Sequence, residues 1–468
     1  RRRPRRRHAR ARLAVSPPST PCSPRVGGEG EPRAQRGGRR GTPSANAGGA
    51  RVCHPPPRPS TPHFALCPLC SFAIVIQQLP EVLRDPVCVF YLVLRALDTV
   101  EDDMAFPVEK KIPLLRSFHE RCGDEAFTIA CGYGPYVDLM RRYPLVARVF
   151  NSLDPSFAFV VANITRRMGN GMADFIEKEV VTVADYDLYC HYVAGLVGVG
   201  LSDLFASSGL ETHADVVASP SLSNHMALVL QKTNIVRDYL EDINEEPAPR
   251  MFWPRDVWGL YASSLDEFKD PAAAAAALKC LNHMILDALR HAEPALSYMA
   301  AIDNPDVFRF CAIPQVMAAA TLAACYNNYN VFTGVVKMRR GRTARVMLEC
   351  NTVADVRRAF ARAAAEISSK AAPAAAAGDP IAAQVVNAAA KLQQACARGL
   401  GVSTAEAARG DWCAVVARLL LCAALAVLLA AALHMLPASL PLAPAWVALA
   451  LLVAAWGVQP AVAALIAA

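Results

Sequence analysis

Between residues 64 and 372, apolar side chains recur at intervals of three and four, Gly and Pro sit between the runs, and no alternating strand of any length appears. That period belongs to helices burying one stripe each, so this segment reads as an all-α domain. Connections such as "NEEPAPRMFWPRD" (244–256) are short and turn-rich, which favours helices packed as neighbours in a bundle. A chain of 468 residues, 54% apolar, is long enough for one large core or two modest ones.

The two ends are unlike this middle. Residues 1–63 are rich in Arg, Pro and Gly without apolar periodicity, and the first 60 hold fifteen Arg against Glu29 and Glu31. The expectation there is a disordered tail, either a transit peptide or a wrongly joined exon. The formal charge of +7 comes from that tail, since the remaining residues carry about −6, so no nucleic-acid-binding surface is expected. Residues 373–410 are Ala-rich and polar and read as a linker. Beyond them, in 411–468, "CAVVARLLLCAALAVLLAAALHML" (413–436) and "LAPAWVALALLVAAWGVQPAVAALIAA" (442–468) are each long enough to cross roughly 30 Å of hydrocarbon. Arg418 lies near the start of the first run, and Pro437, Pro441 and Pro444 break the helix between them. A C-terminal transmembrane helix or helical hairpin is expected. Fifteen Cys without a repeating spacing suit a reduced, intracellular protein. "CPLC" (67–70), with Cys53, His54 and His63 nearby, lacks the spacing of a zinc finger.

The chemistry is concentrated in two places. In "LRALDTVEDDM" (94–104), Asp98, Glu101 and Asp102 lie at i, i+3 and i+4 of a helix, with Tyr91 and Arg95 on the same stripe and Asp103 pointing away. In "LQKTNIVRDYLEDI" (230–243), Gln231, Asn234, Asp238 and Asp242 share a face, again behind apolar residues. A solvated helix face is the ordinary reading of either cluster alone. Two such faces on separate helices can instead converge across a bundle core. Oxygen donors without His select a hard cation, Mg²⁺ before zinc or iron, and the open positions of Mg²⁺ suit a diphosphate. Arg95 and Arg237 would add positive charge beside such a leaving group.

Five stretches, "FYLVLRALDTVEDDM", "YCHYVAGLVGVGLSDLF" (189–205), "LQKTNIVRDYLEDI", "FWPRDVW" (252–258) and "FCAIPQVMAAATLAACYNN" (310–328), resemble the squalene synthase family. The resemblance runs from about Ser71 to about Lys370, broken near 122–150. It implies an isoprenoid-synthase helical bundle around a central cavity. The implied reaction joins two farnesyl diphosphates head to head through presqualene diphosphate, and NADPH then reduces the product to squalene. It also implies Mg²⁺ on Asp98, Glu101 and Asp102 at one site and on Asp238 and Asp242 at the other, with substrate at Tyr91, Gln231 and Asn234. Tyr189, which alone would read as a core tyrosine, matches the residue that the family links to proton removal. Gly195, Gly198 and Gly200 after it leave room for a prenyl chain or a close helix neighbour. Phe310, otherwise core packing, could face a cation in the second half-reaction. No strand–GxGxxG–helix pattern occurs, so the resemblance places NADPH on Ser71, Phe72, Arg95, Arg237, Lys337 and Arg339, the last two within "VVKMRRGR" (335–342). A cytosolic catalytic domain, monomeric and anchored in the endoplasmic reticulum membrane, completes the expectation.

The match also departs from its family. Where the family reads Ser-Arg-Ser-Phe this chain has "LCSF" (69–72), so Cys70 replaces an Arg that meets cofactor and phosphate, and a Pro-rich stretch stands where an N-terminal helix belongs. Two other readings therefore stand beside the first. One is a related synthase that stops at presqualene diphosphate or makes another C30 or C40 product, as phytoene synthases do. The other is a catalytically silent membrane scaffold that binds prenyl diphosphate.

Overall fold

The computed structural model describes residues 75–245, 249–336, 338 and 340–408, and every regular element among them is helical. In chain order these are α1 Glu81–Asp102, α2 Val108–Ser117, α3 Pro135–Arg141, α4 Tyr143–Asn151, α5 Pro155–Phe175, α6 Val183–Cys190, α7 Leu196–Ser207 and α8 Pro220–Arg237. They continue as α9 Tyr239–Ile243, α10 Ala274–Leu289, α11 Ala292–Ala300, α12 Pro305–Cys325, α13 Arg340–Glu349, α14 Val353–Ala376 and α15 Pro380–Leu400, with shorter helical turns in the connections. The tail 1–63, the CPLC stretch, Cys70 and the membrane segment 411–468 lie outside the described residues.

Local sequence sets the helix starts. Asp154 caps α5, whose first residue is Pro155, by accepting from the Ser156 N–H at 2.9 Å. Thr182 with Asp185 opens α6, and Thr352 with Asp355 opens α14, each as a reciprocal capping box. Gly401, at φ +67°, ends α15 in the left-handed conformation that glycine adopts without strain.

The bundle is organised around α8, which packs against α7, α10, α11 and α12. On the other side α5 packs against α1, α2 and α7. In α1 the row Leu83, Val87, Phe90, Leu94, Leu97 and Glu101 is buried at alternating spacings of four and three, and the neighbouring row holds Tyr91, Arg95, Asp98 and Asp102. The apolar row fixes the rotation of α1, and that rotation sets where the acidic row points. Close approach of α7 comes from its glycines. A Cβ at Gly198 would stand 2.6 Å from the Ser223 carbonyl oxygen of α8, and one at Gly200 2.6 Å from the Phe90 ring of α1. Of the two uses expected for these glycines, the structure has the helix neighbour.

Residues 373–408 differ from the expected linker. Pro373 lies inside α14, and α15 turns back to pack on α14 and α10, burying Ala382, Val385, Ala389, Leu392 and Cys396. Small Ala side chains at three- and four-residue spacing gave little apolar signal. They nevertheless form a helix face that lets two helices approach closely.

Candidate active site

The acidic face of α1 and the short helix α9 meet through a residue that belongs to neither. Arg250, in the connection after α9, donates its backbone N–H to the Asp242 carbonyl at 3.0 Å. Its guanidinium lies 2.8 Å from Glu101 Oε1 and also contacts Asp102. Arg95 lies 3.4 Å from Asp98 and over the rings of Tyr91 and Tyr136, at 5.9 and 5.4 Å. Arg237 holds Asp238 in a fork of 2.7 and 2.5 Å. Asp238 does not continue α8: it sits at the break before α9, so the face expected on one helix straddles two.

The electrostatics are those of carboxylates short of positive charge. Burial pushes the Asp98 carboxyl up to about 7 against the pull of Arg95, with Asp102 and Glu101 adding repulsion. Burial also raises Glu101, against the opposing charge of Arg250. Asp242 goes up to about 7 through burial and then through Asp238, and the charge of Asp102 on α1 reaches it as well. Five carboxylates, Asp98, Glu101, Asp102, Asp238 and Asp242, face the guanidinium groups of Arg95, Arg237 and Arg250, with the ammonium of Lys111 also acting on Glu101 and the carboxylate of Glu241 on Asp242, so acidic groups outnumber basic ones. Oxygen donors with that excess fit a divalent hard cation. Asp103 stands apart, as expected: it accepts from the N–H groups of Ala105, Phe106 and Gly132 at 2.8–3.1 Å and from the Tyr133 hydroxyl at 3.2 Å, tying the end of α1 to the next loops.

The capping box starts α6 at Val183, so Tyr189 is in its second turn, followed by a π-helical turn, His191–Gly195. Its ring is buried and stacks on Phe252 at 3.9 Å with 9° between the planes. Phe252 in turn carries the Arg250 guanidinium 5.2 Å from its ring centre. Burial holds the Tyr189 phenol well above its ordinary value, and Glu101 pushes in the same direction while Arg250 opposes. The structure therefore brings Asp98, Glu101, Asp102, Asp242 and Tyr189 into one electrostatic neighbourhood. Phe310 is buried on α12 with its ring edge-on to Phe205 at 6.2 Å. Gln231 is half-buried and Asn234 exposed. Ser71, Phe72, Lys337 and Arg339 lie outside the described residues.

Arg250 was missed in the sequence because "PAPRMFWPRD" reads as a turn. The available signal was an Arg two positions before an aromatic pair and four after the end of "EDINEE".

The squalene/phytoene synthase family profile matches residues 70–342, more than half of the chain. The squalene synthase LSS of Botryococcus braunii is 62% identical over 294 residues, which make up 63% of this chain and 63% of that protein, less than two thirds of its length. The lycopaoctaene synthase of the same organism is 55% identical over 359 residues, 76% of this chain and 80% of that protein. The squalene synthase of Solanum lycopersicum is 54% identical over 308 residues, 64% and 74%. Among solved structures, the complex of TcSQS with the ligand BPH1237 superposes with a TM-score of 0.67 at 45% identity, covering 70% of this chain and 94% of that one. A profile over most of the helical body, relatives above half identity and a shared fold lead to one conclusion: the chain belongs to the squalene/phytoene synthase family.

Proposed function

We propose that the protein is a squalene synthase that joins two farnesyl diphosphates head to head and reduces the product with NADPH. The observation that carries this reading is the convergence of two acidic faces, richer in carboxylates than in cations, beside the stacked Tyr189. Mg²⁺ held by Asp98, Glu101, Asp102, Asp238 and Asp242 would supply the Lewis acidity that lets an allylic diphosphate leave. NADPH would supply the hydride of the second half-reaction. Arg95 and Arg237 would bind the diphosphate oxygens, with charge fixed before the bond breaks. The buried rings of Tyr189 and Phe252 would keep water from the carbocation. A phenol held protonated accepts a proton at its oxygen only as it hands its own to a neighbouring base. Tyr189 would thus relay the proton lost from the substrate carbon to a departing diphosphate oxygen. The Phe310 ring would face the later cation.

A second reading, a related synthase with another product, is favoured by the long match to lycopaoctaene synthase. Incubating the full chain with radiolabelled farnesyl diphosphate and Mg²⁺ separates the two. Presqualene diphosphate without NADPH and squalene with it support the first reading; another hydrocarbon supports the second, and no diphosphate release defeats both.

The apolar runs of 411–468 support a C-terminal anchor, with the catalytic body on the cytosolic face of the endoplasmic reticulum. Deleting 409–468 while keeping α15 should yield a protein that stays in the supernatant with its helix content intact. A deletion product that still sediments with membranes contradicts the anchor.

A further inference from the structure

Arg250 touches both acidic faces at once, by its main chain at Asp242 and by its side chain at Glu101 and Asp102. Other cations nearby do not share this position. Arg95 pairs with Asp98, Arg237 with Asp238, and buried Lys111 donates to the backbone carbonyl of Glu101 at 2.8 Å and leaves its carboxylate to Arg250. A guanidinium is always charged and presents its donors in a rigid fork, so it occupies the carboxylate lone pairs it meets. A divalent cation needs those same oxygens.

We propose that Arg250 couples metal binding to diphosphate binding: it competes with the divalent cation for Glu101 and Asp102 and is drawn off when a diphosphate offers it an alternative partner. The inference rests on the diphosphate reading above and deepens it. Three observations carry it. The guanidinium contacts two of the carboxylates assigned to the cation. Its residue is tied by the backbone to the face carrying Asp242, so the side chain can swing while its root stays fixed. The Phe252 ring beneath it offers a flat surface along which a planar cation keeps a favourable contact as it moves. Phosphate oxygens match a guanidinium bidentately as well as carboxylates do, so the exchange costs Arg250 little. By linkage, an anion that removes a competitor tightens the metal, and the metal tightens the anion by the same factor.

The test measures Mn²⁺ binding to the detergent-solubilised full chain by electron paramagnetic resonance. It is done alone and with farnesyl S-thiolodiphosphate, an unreactive analogue whose own Mn²⁺ binding is subtracted. For Arg250→Gln, Mn²⁺ alone should bind at least about fivefold tighter than in the wild type, and the tightening caused by the analogue should shrink by a similar factor. Arg250→Lys keeps one charge and reaches one carboxylate, so it should shift in the same direction by about twofold; it decides the matter if circular dichroism finds Arg250→Gln unfolded. Unchanged or weaker Mn²⁺ binding in the variants overturns the coupling while leaving the diphosphate reading in place. Absence of Mn²⁺ binding to the wild type, with or without the analogue, overturns both.

Discussion

Among the described residues the protein embeds a cation among carboxylates around Lys232 and around Arg250, and the two clusters differ in what remains unpaired. Lys232, with no exposed side-chain surface, contacts Asp187 of α6 and Asp287 of α10, and Arg290 contacts Asp287 and approaches Asp187 to 3.9 Å. The Tyr186 ring covers the ammonium at 4.8 Å. Two cations meet two carboxylates, so nothing is left over. Asp187, Asp287 and His291 include the donor types of a metal site, yet the ammonium of Lys232 already holds both carboxylates. Around Arg250 acidic groups outnumber basic ones, and burial raises Asp98 and Asp242. A closed cluster fixes helices in place. An open one asks for a ligand.

The strongest way to break this contrast is to open the closed cluster. Lys232→Met should leave Asp187 and Asp287 with only the half-exposed Arg290 and cost about 3–5 kcal/mol of stability, as loss of one member of a buried ion pair does. Denaturant unfolding measures it. A loss below about 1 kcal/mol, the range of a surface pair, would show that the cluster is not what holds α6, α8 and α10 together.

Altering the open cluster should do the reverse. Asp98→Asn removes a carboxylate that burial, Asp102 and Glu101 disfavour more than Arg95 supports, so stability should hold or rise. Diphosphate release should fall about 1000-fold, at the upper end for losing one electrostatic contact to a transition state. A variant that is destabilised yet releases diphosphate at near-normal rates would put Asp98 in the structural class with Asp187. Tyr189→Phe keeps the ring that stacks on Phe252 and removes only the hydroxyl. Its melting temperature should stay at the wild-type value while turnover drops about 100-fold. Wild-type turnover would reduce Tyr189 to a packing residue.

How much of this was legible depended on sequence distance. The acidic row of α1 lies within one helix, and the three- and four-residue period that buries Phe90, Leu94 and Leu97 also fixes where Asp98 and Asp102 point. That part could be read directly. The second face was harder, because the turn at Asp238 interrupts a periodic pattern that continues through it. Arg250 and Asp102 are 148 positions apart, and no local period encodes a pairing over that span. Lys232 was hidden differently: it occupies a buried position between Val229 and Val236, where a charged side chain in an apolar register was the overlooked signal. Its partners Asp187 and Asp287 looked like ordinary helix-surface acids until α6 and α10 were brought against α8.

The smallest expected effect distinguishes the clusters by acid. His291 and His225, whose Nδ1 atoms are 2.7 Å apart, lie beside the Lys232 cluster. Burial pushes His291 down to about 2, and Lys232, His225 and Arg290 act in the same direction. Burial lowers His225 too, with Asp187 opposing and Lys232 and Arg290 reinforcing. The unfolded chain takes up a proton near pH 6.5 that the folded protein refuses. The histidines' contribution to stability is therefore complete above about pH 6.5 and declines as the pH falls below it, by about 2 kcal/mol at pH 5 for His291 alone. His291→Asn carries no titrating ring, so it should lose less stability than the wild type between pH 7.5 and pH 5, whatever its stability at neutral pH. Urea unfolding at the two pH values gives that difference. Equal losses in both proteins would mean that acid sensitivity originates outside the Lys232 cluster, and that its lack of spare charge extends to its histidines.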